Sequence, residues 1–434
     1  MNFNLKERGT NVKTEIIAGI TTFLTMVYIV VVNPAILSDA GVPFEQVFLA
    51  TIIATVVGTL WMALFANYPI AIAPGMGLNA YFAYSVVLNN PDVDYLIAFA
   101  AVFVAGLLFI ILSITPLRRI LIEAIPESLK YGITGGIGLF IAFIGFRMTG
   151  IITDDPVNLV KLGDLSSLSA ILAIIGLAVT IVLMALKVKG AIFYGMIVTG
   201  IVAYFTNTLS FDSGILSMPS FEHGLAVYNP ISAIGDVIQY GLYSVVFSFL
   251  IVTLFDTTGT MIGVAQQAGL MKGKKFPRVR QALLADSVGT TVGAMFGTSP
   301  TSAYIESSSG VATGGRTGLT AVTVAVLFGA VLFFSPIVEA VSSVSAITSP
   351  ALIIVGSLMM GNVAKIDWSK IDEAFPAFLI ILIMPLTSSI ATGIAFGFIA
   401  YPLMKLVRGK FKEVHWIMYI LAILFIYQLV FIPH

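Results

Sequence analysis

The sequence predicts an all-α polytopic membrane protein with about fourteen transmembrane segments, folded as two inverted repeats of about seven helices each. Three observations carry that expectation. Of 434 residues, 58% are hydrophobic and 10% charged, where a soluble domain carries about 25% charged residues; the mean hydropathy is +1.01. Apolar stretches near the length needed to span a bilayer recur along the chain. Two of them, 71–86 and 297–311, are interrupted alike by a proline among small residues.

Taken in order, the first set of spans is 16–37, 47–66, 70–88, 96–115, 129–146, 169–186 and 191–207. The first ends in VVNPAILSDAG without a signal-type cleavage site, so it reads as a retained helix. A cap or kink is expected at Asn33-Pro34. A polar interval, 208–239, reads as a long external loop with some structure. The second set is 241–264, 281–296, 297–312, 318–338, 347–362, 374–388 and 389–406; a last apolar stretch, 416–432, either spans or lies along the interface.

Charge sets the orientation. With the N-terminus inside, every Lys and Arg except Arg147 and Lys161 falls in an inner loop, as the positive-inside rule requires. This makes the protein a multi-pass component of the cell (cytoplasmic) membrane with a cytoplasmic N-terminus. Two related halves with an odd span count must be inverted relative to each other. Weak internal similarity agrees: Pro74 and Pro300 are 226 positions apart, and Asn79 and Glu306 are 227 apart. Interrupted spans at matching places in two halves are the best sequence pointer to a transporter site.

Several function classes are excluded or disfavoured. With no cysteine there is no disulfide or thiolate metal site. His223, His415 and His434 have no zinc-motif spacing. No Walker A sequence, cofactor motif or nucleophile–base pair is present, so no metal, cofactor or enzymatic activity is expected. The basic loop 271–280 reads as an inner anchor and not as a nucleic-acid site, and 314–318 (GGRTG) as a tight inner turn.

Two ionisable residues fall deep within the spans, Asp256 and Glu306. A carboxylate at that depth costs roughly 2.5–3.5 kcal/mol on the lenient insertion scale, and such acids mark pathways and proton relays. Asp286 and Glu339 read as lying near span ends, where solvation is available, and no Lys or Arg is placed at depth to pair with the acids. Glu306 follows the Pro300 break and would open a half-helix. Free N–H groups there favour the charged form and burial favours the protonated one, which makes Glu306 the leading proton-coupling candidate, with Asp256 beside it. Thr260 lies one turn beyond Asp256 on the same face. Gly259 and Gly263 would let another backbone approach closely. Asn79 either caps the half-helix after Gly75 and Gly77 or contacts substrate. Tyr81 and Tyr304 read first as packing or interfacial aromatics; Tyr304 is kept among the candidate substrate contacts.

Four blocks, GTNVKTEIIAGITTFLTMVYIVVVNPAIL, APGMGLNAYFAY, LFDTTGTMIGVAQQAGL and GTSPTSAYIESSSGVATGGRTGLTA, resemble the AzgA-like branch of the nucleobase–cation symporter family, and within it the bacterial hypoxanthine/guanine permeases. The resemblance implies a uracil-transporter-like fold with short strands in the broken third and tenth spans. It implies a core domain from 1–128 and 241–345, and a gate domain from 129–240 and 346–434. It implies uptake of purine bases (hypoxanthine, guanine, adenine in the same class) by proton symport, with sodium the alternative ion and a homodimer the assembly to consider. The family's acidic site positions fall on Asp256 and Glu306 and its polar third-span position on Asn79; Thr260 stands where the uracil branch has a histidine. An anion exchanger of the same fold and a cation channel are the rival readings. The exchanger would want fixed positive charge at the site, and the channel only an acidic lining.

Overall fold

The computed structural model describes residues 3–115, 117–211, 214–222, 224–227, 229–271 and 277–431. Lys272, Lys274 and Lys275 of the basic loop, His223, His434 and Ile432 lie outside the described residues. The chain is mostly helical, and among the described residues nine helical runs are long and apolar enough to cross a membrane.

The first expected span is two helices, α1 (Val12–Met26) and α2 (Ile29–Asp39). The break falls at Val27 and Tyr28, and Asn33 and Pro34 both lie inside α2. This corrects the expected cap or kink at Asn33-Pro34. Pro34 leaves the Val30 carbonyl without its helical N–H donor, but that lies within α2 and not at the break. Helix α3 (Phe44–Trp61) follows and ends in a wider π-turn segment. Next comes a three-residue strand, β1 (Ile72–Pro74), a short helix α4 (Met76–Ala80) and a second π segment to Val87.

Helix α5 (Tyr95–Ile114) leads through α6 (Leu117–Ala124) to α7 (Glu127–Met148). A hairpin of β2 (Ile152–Asp155) and β3 (Leu159–Leu162) follows, between the expected spans 129–146 and 169–186. Helices α8 (Leu168–Ala185) and α9 (Ala191–Phe205) precede the polar interval, whose structured part is α10 (Pro230–Gln239), begun by an Asn229 cap. Then come α11 (Tyr243–Gln267), α12 (Val279–Phe296), strand β4 (Thr301–Ala303), α13 (Ser307–Ala312) and α14 (Gly318–Val331). The chain closes with α15 (Ser335–Ser342), α16 (Ser345–Met360), α17 (Ile371–Thr387), α18 (Ile390–Val407) and α19 (Trp416–Phe431).

Strands β1 and β4 pair antiparallel, with Ile72 opposite Ala303 and Pro74 opposite Thr301. Gly75 N–H donates to Pro300 O at 2.9 Å and Tyr304 N–H to Ala71 O at 3.0 Å, extending the ladder at both ends. Gly297, with φ +110° and Gln46 packed where a Cβ would sit, makes the turn from α12 toward β4.

Small residues set the helix packing. Helices α7 and α16 meet at Gly138 and Gly356, where a Cβ on either would come within 2.6 Å or less of the other's carbonyl oxygen. Gly259 and Gly263 of α11 behave differently: among the described residues a Cβ there meets nothing within 4 Å, so no described backbone approaches them. That corrects the expectation of a close-packed glycine face beside Asp256. Helix α19 buries Met418, Leu421, Ala422 and Phe425, the spacing of one helix face. Phe425 packs edge-on against Phe247 of α11 and Phe398 of α18, with ring centroids 5.4 and 5.6 Å away.

Gly356→Ala should lower stability by about 1–3 kcal/mol, because backbone cannot yield to the new methyl as a flexible side chain would. Gly329→Ala, which points into open space on α14, should leave stability unchanged or slightly raised. Thermal unfolding in detergent micelles checks the contrast, and equal effects at the two positions would contradict the packing described.

Candidate functional site

The site is built around the β1–β4 pair, whose outer edges are satisfied by hydroxyls. Thr59 of α3 both receives Ile72 N–H and donates to Ile72 O, each at 3.0 Å. Thr290 of α12 accepts Thr301 N–H at 3.0 Å, and Thr257 of α11 accepts Ala303 N–H at 3.4 Å. Ser307 Oγ accepts Ala71 N–H at 3.0 Å. A strand edge without such partners could not persist in an apolar layer.

Glu306 stands at the start of α13. Tyr28, freed by the break between α1 and α2, donates its hydroxyl to Glu306 Oε1 at 2.8 Å. Asp256, on α11, lies near Ser302 of β4 and within electrostatic range of Glu306. A narrow cleft opens against Asp256, lined also by Gly75, Gly77 and Phe255 and by Thr134 of α7 and Met359 of α16.

Of the residues singled out from sequence, Asp256 lines this cavity. Glu306 stands beside Asp256 but is not among the lining residues. Tyr304 is buried, and its hydroxyl donates to Pro74 O at 2.5 Å, bracing β1. Thr260 is half-buried one turn beyond Asp256. Asn79 lies inside α4, whose N-cap is Gly75, so it does not cap the helix. Its Nδ2 donates to Asn33 Oδ1 at 3.0 Å, while its Oδ1 has no hydrogen-bond partner among the described residues.

Two buried groups were misjudged from sequence. Asp286 is fully buried on α12, not solvated near a span end. Thr257 Oγ1 donates to its Oδ2 at 2.5 Å, and Thr301 Oγ1 lies 3.0 Å from its Oδ1. The helix begins seven residues earlier, at Val279, so two full turns carry the carboxylate inward. Arg118, assigned to an inner loop, is 3% exposed. Its guanidinium reaches Ser113 Oγ at 3.1 Å and Thr258 Oγ1 at 2.9 Å, and lies within electrostatic range of Asp286. A base is therefore buried near the acids after all: Arg118 sits in the first turn of the short helix α6, and its side chain turns back along α5. Tyr28, Ser302, Thr134 and Met359 were also missed, since nothing in their local sequence distinguishes them from packing residues.

Asn33 is the second hub. It is fully buried, and its Nδ2 donates to Thr51 Oγ1 at 2.7 Å and Thr298 Oγ1 at 2.8 Å while its Oδ1 receives Asn79. It therefore ties α2 to α3, to α4 and to the approach to β4. Among the described residues no group of three or more His, Cys, Asp or Glu could hold a metal ion. Asn33→Ala should cost about 2–4 kcal/mol, because three buried partners lose their bonds together. A thermal unfolding midpoint equal to that of wild type would show that these bonds contribute nothing.

The chain matches the family described as "Permease family" over residues 13–396. It is 66% identical to "Guanine/hypoxanthine permease PbuO" of Bacillus subtilis, covering 98% of this chain and 99% of the relative. It is 43% identical to "Adenine permease AdeP" of Escherichia coli, covering 99% of this chain and 95% of that one. Among solved structures, the transmembrane domain of the cyanobacterial bicarbonate transporter BicA shares the fold, with TM-score 0.62 at 16% identity over 88% of this chain and 97% of that one. The family match and the near full-length relatives lead to one conclusion: the chain belongs to the Permease family.

Proposed function

We propose that the protein imports purine nucleobases (hypoxanthine and guanine, with adenine in the same class) across the cytoplasmic membrane by proton symport. The observation that carries this reading is the cavity that opens against Asp256 beside the start of α4. A purine base presents ring N–H groups that a carboxylate accepts, and the first N–H groups of a helix have no intrahelical acceptor and can meet a carbonyl or ring nitrogen. The guanine, hypoxanthine and adenine named in the relatives' descriptions are ligands of this kind.

In this reading Asp256 grips the base, and Glu306, held by Tyr28, carries the proton. Asn79, Thr260 and Tyr304 complete the site from behind the cavity. The substrate is neutral, so the coupled proton carries the charge. One charge moving through 100 mV contributes about 2.3 kcal/mol, roughly fifty-fold accumulation.

The proposed frame is fourteen spans in two inverted halves, with the N-terminus cytoplasmic. A core domain (1–128 and 241–345) would move against a gate domain (129–240 and 346–434). Support comes from the antiparallel β1–β4 pair, in which each strand is capped by a threonine of the helix before it, Thr59 and Thr290. An anion-transport reading draws only on the shared fold with the bicarbonate transporter. A carboxylate against the cavity disfavours it, since an anion there would meet like charge.

Uptake of labelled hypoxanthine into proteoliposomes tests the proposal. We expect saturable uptake, at least tenfold faster with an inward proton gradient, blocked by unlabelled guanine. Asp256→Asn should abolish it, and Glu306→Gln should remove its response to the gradient. Non-saturable flux would favour a channel, inhibition by bicarbonate an anion carrier, and replacement of the proton gradient by a sodium gradient the other coupling ion.

A further inference from the structure

The cavity is lined by two unlike sets of residues. One set holds Asp256 and the first turn of α4. We take as its facing wall the second set, from α7 and α16: Ile133, Thr134, Ile137 and Met359. The isoleucines offer only carbon, and a thioether is a weak acceptor. Thr134 therefore carries the one hydroxyl on that wall. Its Oγ1 donates to Lys130 O at 3.1 Å, one turn back along α7. A hydroxyl has one proton and two lone pairs. While the proton stays in the helix, Thr134 offers a ligand its lone pairs.

We infer that Thr134 is a specificity-determining residue: it accepts an N–H from the edge of the base opposite the edge held by Asp256. This rests on the purine reading above. Asp256 and Thr134 are then both acceptors, so a well-bound base must present an N–H on each of two opposite edges. Hypoxanthine and guanine do so, through the pyrimidine-ring N1–H and the imidazole N–H. Adenine offers its 6-amino group in place of N1–H. A base lacking a donor on either edge leaves one acceptor buried without a partner, and that omission costs more than a missing methylene would.

The test is competition against labelled hypoxanthine uptake in proteoliposomes by hypoxanthine, 7-deazahypoxanthine, 9-deazahypoxanthine and unsubstituted purine. The first two analogues each move the imidazole N–H to one position, and purine lacks N1–H. Wild type, Thr134→Val and Thr134→Ser are compared, with thermal unfolding as the control for folding. Thr134→Val should weaken hypoxanthine about three- to tenfold, the worth of one neutral hydrogen bond, and Thr134→Ser should restore it. The analogue that lacks the N–H received by Thr134 should be weak against wild type and no weaker against Thr134→Val. Unchanged hypoxanthine affinity in Thr134→Val, or an equal loss for all four ligands, overturns the inference. If Thr134→Val does not fold, Thr134→Ala is held to the same two outcomes. Absence of hypoxanthine uptake by wild type would instead overturn the purine reading, so the two failures are distinguishable.

Discussion

Everything in this structure depends on how the backbone is satisfied where two spans stop being helical. A helix closes its own hydrogen bonds; a break in an apolar layer leaves N–H and C=O groups that water cannot reach, each costing several kcal/mol. Here two breaks meet and complete each other. The three-residue strands β1 and β4 exchange backbone bonds, and threonines from α3, α11 and α12 take the outer edges. Because the strands are antiparallel, α4 and α13 start at opposite ends of this short ladder, and α11 packed against it carries Asp256 into electrostatic range of Glu306.

The polar side chains behind the ladder form connected sets. Asn33 joins three elements through one amide, and Asp286 joins α11 to β4 through two hydroxyls. Buried polar networks rigidify a structure when satisfied and are costly when they are not. Asn79 Oδ1 is an unpartnered acceptor at the edge of such a set, so the third-span asparagine has spare hydrogen-bonding capacity even though its amide nitrogen is occupied.

Much of this was legible in the amino-acid sequence. Apolar length gave the helices, the matched prolines gave the two interrupted spans, and the rarity of deep charge isolated Asp256 and Glu306. What was hidden has a common cause: hydropathy reports where a residue sits along a segment, but not where its side chain points. Arg118 counts as a loop residue by position, yet its side chain folds back into the bundle; Asp286 counts as near an end, yet α12 begins early enough to bury it. Tyr28 is an ordinary aromatic in an apolar run until the break between α1 and α2 turns it toward Glu306. The β2–β3 hairpin is four residues a side and mostly exposed, so it leaves almost no periodic signal.

The pairing of Ile72 with Ala303 also bears on how the protein is made. Their partners are separated by more than half the chain, and a ribosome adding about 5–20 residues per second would take roughly 10–50 s to pass from one to the other. Throughout that interval β1 waits in the bilayer without its ladder. Thr59, only thirteen residues before Ile72, engages both backbone groups of Ile72 from within the first half. The contact that finishes the outer edge of the mature strand thus forms within the first half, and only the edge facing β4 waits for the second.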